Sequence, residues 1–317
     1  MDGRIRTSES LHQALAGDPT EVVEVFLQGP AAAAACRLLC DLDRAPFPSL
    51  QRLVLVDAGI EALPEWLGEL QRLQSLVVWG NALRSLPDST ADLCALARVD
   101  AGGNQLTELP EPLAALPTLQ RVDLSRNPLR RLTATHAARI EVLDVRSCGL
   151  TALGADLARL PSLRELSASD NEIATVSEGV GELSGLRRLD LSRNRLRSLP
   201  ATLASTALEI LALWGNPLGA LPAVVLQLAG LRHLDLGHCG LSHLPEGLGQ
   251  LRALAHLDLS GNELGSLPQD LGQLPELGWL DLDETPLASR LDDDDPEEVG
   301  ATLSALGIPS PPVEHHE

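Results

Sequence analysis

The sequence predicts an α/β solenoid, a stack of short strand–turn–helix units sharing one parallel sheet. Three observations predict it. The pattern LxxLxLxxNxL begins at Leu50, Leu73, Leu96, Leu119, Ile140, Leu163, Leu186, Leu208, Leu231, Leu254 and Leu277, at intervals of mostly 23 residues. Inside each recurrence, xxLxL alternates apolar and variable residues with the period of a half-buried strand. All seven Asn of the chain fall at the ninth position of the pattern.

Taken in order, the elements begin with a capping segment over 1–21, in which Ser8–Ala16 reads as a helix with Leu11, Ala14 and Leu15 on one side. An open solenoid end would expose its core, so a cap is required. A degenerate first unit, VVEVFLQGP, starts at Val22, and Ala31–Cys40 reads as its returning helix. Twelve units in all span 22–291. Each strand aims its leucines inward and its spacer residues onto a shared face, and neighbouring strands stack about 4.8 Å apart. LPxxLxxL then returns as a short helix or 3-10 turn. The Leu-Pro step is lost at Leu132-Thr133, Leu153-Gly154 and Val176-Ser177, where a shortened unit also lies. An acidic cap and tail over 292–317 closes the chain. There Asp295 reads as a helix N-cap, Pro296 as its first residue, and Val299, Leu303 and Leu306 as a cover.

The ninth-position column reads Asn81, Asn104, Asn127, Cys148, Asn171, Asn194, Asn216, Cys239 and Asn262. A buried amide there can donate to and accept from turn backbone that would otherwise lack partners. Cys148 and Cys239 read as structural substitutes in that ladder rather than reactive thiols.

Segments such as LRRLDLSRNRLRSLP and LAHLDLSGNELGSLP resemble the leucine-rich-repeat family, over roughly residues 22–291. The 23-residue form is similar to the bacterial and plant intracellular Ras-group repeats. The resemblance implies a horseshoe with a parallel concave sheet and short helices or 3-10 turns on its convex side. It also implies recognition of a partner by the concave face, and some family members are effectors of plant pathogens.

Composition narrows the function classes. The chain carries 44 acidic and 24 basic residues, a formal charge of −20. Nucleic acids and anionic membrane surfaces are bound by net cationic patches, so neither is an expected partner. All the basic residues are Arg, which fits either a GC-rich coding bias or escape from lysine modification in a host cell. Five scattered cysteines without a disulfide framework suit a reducing cytosol. No apolar leader opens the sequence, and no run of about 18 apolar residues is present. The expected location is cytoplasmic, or a host cytosol if the protein is an effector.

The spacer residues define the candidate site. Phe26, Val54, Val56, Val77 and Trp79 form an apolar zone over the first strands, a composition that marks interfaces. Asp100, Asp123 and Asp190 run beside Arg98, Arg121 and Arg188, a mixed strip that could take a basic segment. Ile210, Ala212 and Trp214 form a smaller apolar island, Trp279 falls on the same face, and Trp66 reads as convex packing. His233, Asp235, His256 and Asp258 fall on adjacent strands and could in principle ligate Zn²⁺, although an open sheet face is a poor metal site. No phosphate-binding glycine loop, nucleophile motif or metalloprotease signature occurs. The expectation is a non-enzymatic protein-interaction module without a cofactor, binding a partner with a basic or apolar segment. An effector that binds a host protein is the alternative, and a metal-dependent site ranks last.

Overall fold

A computed structural model describes residues 4–132 and 139–293. The backbone falls into two compact units, 1–166 and 167–317. The first carries strands β1 (Arg4–Ile5), β2 (Glu24–Gln28), β3 (Arg52–Val56), β4 (Ser75–Val77), β5 (Arg98–Asp100), β6 (Arg121–Asp123) and β7 (Val142–Asp144), each parallel to the next. After the two-residue β8 (Ala152–Leu153), β9 (Glu165–Ser167) straddles the division. The second unit has the short β10 (Thr175–Val176), then β11 (Arg188–Asp190), β12 (Ile210–Ala212), β13 (His233–Asp235), β14 (His256–Asp258) and β15 (Trp279–Asp281), the last five again parallel in chain order. Both units therefore have the strand-and-turn repeat of an α/β solenoid.

The inward positions one, four and six carry the core. Leu254, Leu257 and Leu259 are fully buried, as are Leu186, Leu189 and Leu191. Each such side chain contributes roughly 1.5–3 kcal/mol on burial, so the aliphatic columns hold the stack without aromatics. On the return, Pro64, Pro87, Pro200, Pro222 and Pro268 each precede a 3-10 turn, their extended backbone turning the chain off the sheet. Pro110 does the same for the one-turn helix α3 (Glu111–Ala114). Where Leu-Pro is lost, Gly154 and Ser177 take the Pro position, and β8 and β10 lead into the turn. Ser177 supplies a cap, its hydroxyl accepting from Gly179 N–H at 3.2 Å.

At the start, the helix α1 spans Ser8–Ala16, with Leu11 and Ala14 buried and Thr7 capping it by accepting from Ser10 N–H. The edge strand β1, paired with β2, was not anticipated; Arg4–Ile5 is too short to show alternation. The helix of the first unit, α2, covers Ala33–Cys40 after a 3-10 turn at Pro30–Ala32. At the other end, the helix α4 spans Pro286–Asp293, ahead of the segment from Asp295. Buried Thr285 sits at position nine of the last repeat and caps α4, its Oγ1 accepting from Ala288 N–H at 3.1 Å. The expected cap from Asp295 through Leu306, and Thr133 of the shortened unit, lie outside the described residues.

Candidate functional site

The turns after each strand fix what the sheet face can present. Asn104 shows the pattern: Oδ1 accepts from Leu83 N–H of the preceding repeat at 3.0 Å, and Nδ2 donates to Val78 and Ala101 carbonyls at 2.9 Å. Asn81, Asn127, Asn194, Asn216 and Asn262 bond in the same way, and Asn171 donates to its own turn carbonyls. Position eight, just before the ladder residue, is left-handed in all eleven regular repeats, from Asp57 to Glu284, with φ between 51° and 70°. Only four of the eleven are Gly, so Arg126, Arg193 and His238 hold a backbone conformation costing about 1 kcal/mol or more. That turn rotates position nine from the face into the core.

Cys148 and Cys239 stand in the ladder as donors. Their thiols reach the Leu124 and Leu213 carbonyls, each at 3.3 Å, and burial pushes both pKa values up to about 11. A thiol lacks the amide oxygen that would accept from position eleven of the repeat before. In both cases that repeat reads Asn-Pro, and its Leu129 or Leu218 N–H turns back onto the Asn127 or Asn216 carbonyl at 2.8 Å. Each Cys is followed by a left-handed glycine, Gly149 or Gly240, both at φ 68°.

The fifth-position acids have a structural duty that sequence reasoning missed. In Asp100, Asp123, Asp144, Asp190, Asp235, Asp258 and Asp281, Oδ1 accepts from the backbone N–H two residues on, at 2.8–3.4 Å. Each closes the end of its strand like an Asx turn. The signal was in the spacing, since every such Asp sits two residues before the turn.

On the first unit, Phe26, Val54 and Val77 are in register across β2, β3 and β4. Val54, however, is only 3% exposed, which corrects its place in an exposed patch: the half-buried flanking side chains leave it as floor. Phe26, Val56, Val77 and Trp79 are half-buried. Trp79 lies over Gly102 of the next repeat, where an added Cβ would come within 2.8 Å of the indole Cδ1. The indole is thus partly used in packing. Asp100 and Asp123 are in register beside exposed Arg98 and Arg121. Arg98 stands 3.9 Å from Asp100, and Arg146 grips Asp144 through Nε at 2.9–3.0 Å. Burial and Asp123 still push Asp100 above the usual carboxylate range.

The second unit presents a deeper feature. Ile210, Ala212, His233, Asp235, His256, Asp258 and Trp279 line an open hollow of about 440 Å³, floored by Leu211 and Leu234. His233 and His256 stack at 4.3 Å with planes 10° apart, and Trp279 continues the row at 6.2 Å from His256. Trp279 is 41% exposed, the one large hydrophobic side chain so exposed among the described residues. Asp235, Asp258 and Asp281 stand in register beside that row. Burial, with Asp258 and Asp190 adding repulsion, raises Asp235 to about 6. His233 is held below the ordinary imidazole range by burial, His256, Arg188 and Arg232. Trp214 does not line the hollow. It covers Gly237, carries the Arg193 guanidinium 4.7 Å from its ring centre, and meets His238 edge-on at 5.1 Å. Arg188 and Asp190 lie on β11, in register with Ile210 and Ala212. Trp66 is buried. Among the described residues no group of three His, Cys, Asp or Glu is placed to hold a metal ion, and no helix is long and apolar enough to cross a membrane.

A leucine-rich-repeat family model matches residues 138–196, 206–264 and 229–287. The chain is a leucine-rich-repeat protein. Among curated relatives of this repeat protein, the mouse leucine-rich repeat and calponin homology domain-containing protein 1 is 38% identical over 81 residues, 26% of this chain and 11% of the relative. The human serine/threonine-protein kinase 11-interacting protein is 41% identical over 90 residues, 28% and 8% of the two chains. The repeat protein thus spans only about a tenth of either relative. A solved leucine-rich-repeat protein of Leptospira interrogans aligns over 95% of this chain and 98% of its own, at TM-score 0.50 and 23% identity. The glycosylated Toll–Spatzle complex of Drosophila aligns over 75% and 34%, at TM-score 0.65 and 24% identity. The PEPR1–AtPEP1 complex aligns over 89% and 44%, at TM-score 0.58 and 20% identity. At these identities the likeness establishes the fold alone. Leucine-rich-repeat scaffolds typically serve interaction rather than catalysis, and the repeat family supports a protein-interaction module here.

Sequence reasoning placed its main apolar site on the first unit, at large side chains, and a smaller island at Ile210, Ala212 and Trp214 on the second. It missed that the second unit's face is hollowed by small Ala212 in a column otherwise rich in Asp. The histidines were seen, but as metal ligands rather than as an aromatic row.

Proposed function

We propose that this leucine-rich-repeat protein binds a protein or peptide partner on its sheet face, with the principal contact at the hollow of the second unit. The observation that carries the reading is Trp279, exposed at the end of the His233–His256 row. Exposed Trp on a hollowed face is the kind of residue that dominates binding energy. The Toll–Spatzle and PEPR1–AtPEP1 complexes, in which a similar scaffold is solved with a partner, agree with it. The test is quantitative affinity capture with the full chain, its Trp279→Ala/His256→Ala variant and its Trp79→Ala variant. Partners retained by the full chain and by Trp79→Ala, but reduced tenfold or more with the double variant, support the assignment. Equal recovery by all three overturns it.

A further inference from the structure

We propose that the hollow of the second unit receives an arginine side chain from an extended segment of the partner, its guanidinium lying against the His256–Trp279 row and pairing with Asp235 and Asp258. The inference deepens the function proposed above and rests on it.

Three features of the site converge on that occupant. The walls are aromatic and planar: His233 and His256 are stacked within 10° of parallel, and Trp279 leans at 39° to His256. A planar cation stacks on such faces, and a guanidinium does so better than an ammonium because it is more weakly hydrated. The acids are uncompensated. In the first unit Arg98 and Arg146 stand against Asp100 and Asp144, but among the described residues no arginine forms an ion pair with Asp235, Asp258 or Asp281. Arg98 stands at position three and Arg146 at position seven; across β12–β15 position three reads Ile210, His233, His256 and Trp279, and position seven of the same repeats reads Trp214, Gly237, Ser260 and Asp283, with no arginine in either. Finally, the space is shaped for a side chain entering beside the acids. Ala212 is in register with Asp235, and its small side chain leaves the room that a fifth-position Asp would fill. Each acid spends Oδ1 on its own turn N–H, at 3.1 Å for Asp235 and 2.9 Å for Asp258. The opposite oxygen of each remains for a donor from outside, and a guanidinium offers two parallel N–H groups. An anionic segment would meet two carboxylates in register, and an apolar one would leave both acids desolvated.

The test uses the full chain with Nα-acetyl-arginine methyl ester as probe, following the four indole N–H resonances. Trp279→Phe assigns the relevant one. The citrulline analogue (same shape, no charge) and the leucine analogue serve as competitors for the reading. Expected are saturable, millimolar shifts of the Trp279 indole, at least tenfold weaker with citrulline or leucine. Asp235→Asn and Asp258→Asn each weaken arginine binding fivefold or more, while Asp100→Asn leaves it unchanged. Equal response to citrulline or leucine, insensitivity to both Asn variants, or a probe-free shift of the Trp279 indole with protein concentration, which would mark a second copy as occupant, overturns the proposal. Loss of the arginine response with Trp279-dependent partner capture intact sinks this inference alone; loss of Trp279-dependent capture sinks the function it rests on.

Discussion

Asp235→Asn should stabilise the second unit at neutral pH. The carboxyl is raised from 3.8 to about 6, first by burial and then by Asp258 and Asp190. Two units correspond to roughly 3 kcal/mol if the group were fully enclosed. It lies in an open hollow, so solvent screening brings the figure to about 1 kcal/mol. The sign follows from proton uptake. Between pH 4 and 6 the folded chain holds a proton at Asp235 that the unfolded chain releases, so stability falls as pH rises through that window. The penalty is absent below the unfolded value, near 4, and complete above about 6. Asn retains the carbonyl oxygen that accepts from Gly237 N–H at 3.1 Å, so the turn keeps its bond while the charge is lost. The variant should gain about 1 kcal/mol at pH 7.5, a rise of roughly 2–4 °C in the midpoint for a unit of this size. The gain should vanish near pH 4. Thermal unfolding of wild type and variant, followed by tryptophan fluorescence at pH 4, 5, 6 and 7.5, makes the comparison. A variant no more stable at pH 7.5, or a gain unchanged at pH 4, would refute the assignment of a desolvated charge to this position.

Further outcomes concern the packing beneath the face. A methyl at Gly237 would overlap Trp214 Cδ1, so Gly237→Ala should cost about 1–3 kcal/mol by urea unfolding, and Trp214→Ala in the same chain should return most of it. An additive double variant would show that the indole does not press on that glycine. Cys94 is exposed, whereas Cys148 and Cys239 are buried with pKa values near 11. Brief alkylation of the folded chain at pH 8, read by peptide mass, should therefore mark Cys94 and spare the two ladder thiols. Prompt labelling of Cys148 would contradict its place in the ladder.

Much of the fold was legible because the repeat writes one structural demand many times over. The Leu columns and the Asn column name inward positions, and an amide needed in every turn leaves a trace even in a chain nearly devoid of Asn. The left-handed position eight was not legible, because Asp57, Arg126, Arg193 and His238 occupy it as well as Gly, and the turn holds them through the next repeat's carbonyl. His238 N–H, for example, donates to the Ser260 carbonyl at 2.8 Å. The candidate site was legible in part. Alternation correctly put Phe26, Val54 and Val77 on one face but could not say that flanking side chains bury Val54. It put Trp79 and Trp214 at position seven and Trp279 at position three, but could not say that the first two cover Gly102 and Gly237 of the next repeat while Trp279 is left exposed. That cover depends on the residue at position seven of the following repeat, Gly102 or Gly237, whose missing side chain admits the indole.

The division of labour along each repeat explains why the partner should be written in so few residues. Positions one, four and six fill the core, position eight turns the chain, and position nine satisfies its neighbours. Position five, where it is Asp, commits one oxygen to its own turn. What remains free to vary without cost to the stack is position three, the second oxygen of each Asp, and any fifth position where the Asp is given up. In the second unit these freedoms coincide at β12–β15: Ile210 and Ala212 open the face, His233, His256 and Trp279 line it, and Asp235 keeps a charge there at the expense of stability. A charge in a desolvated place, where Asn would close the same turn, is what the proposed pairing with a partner's guanidinium calls for.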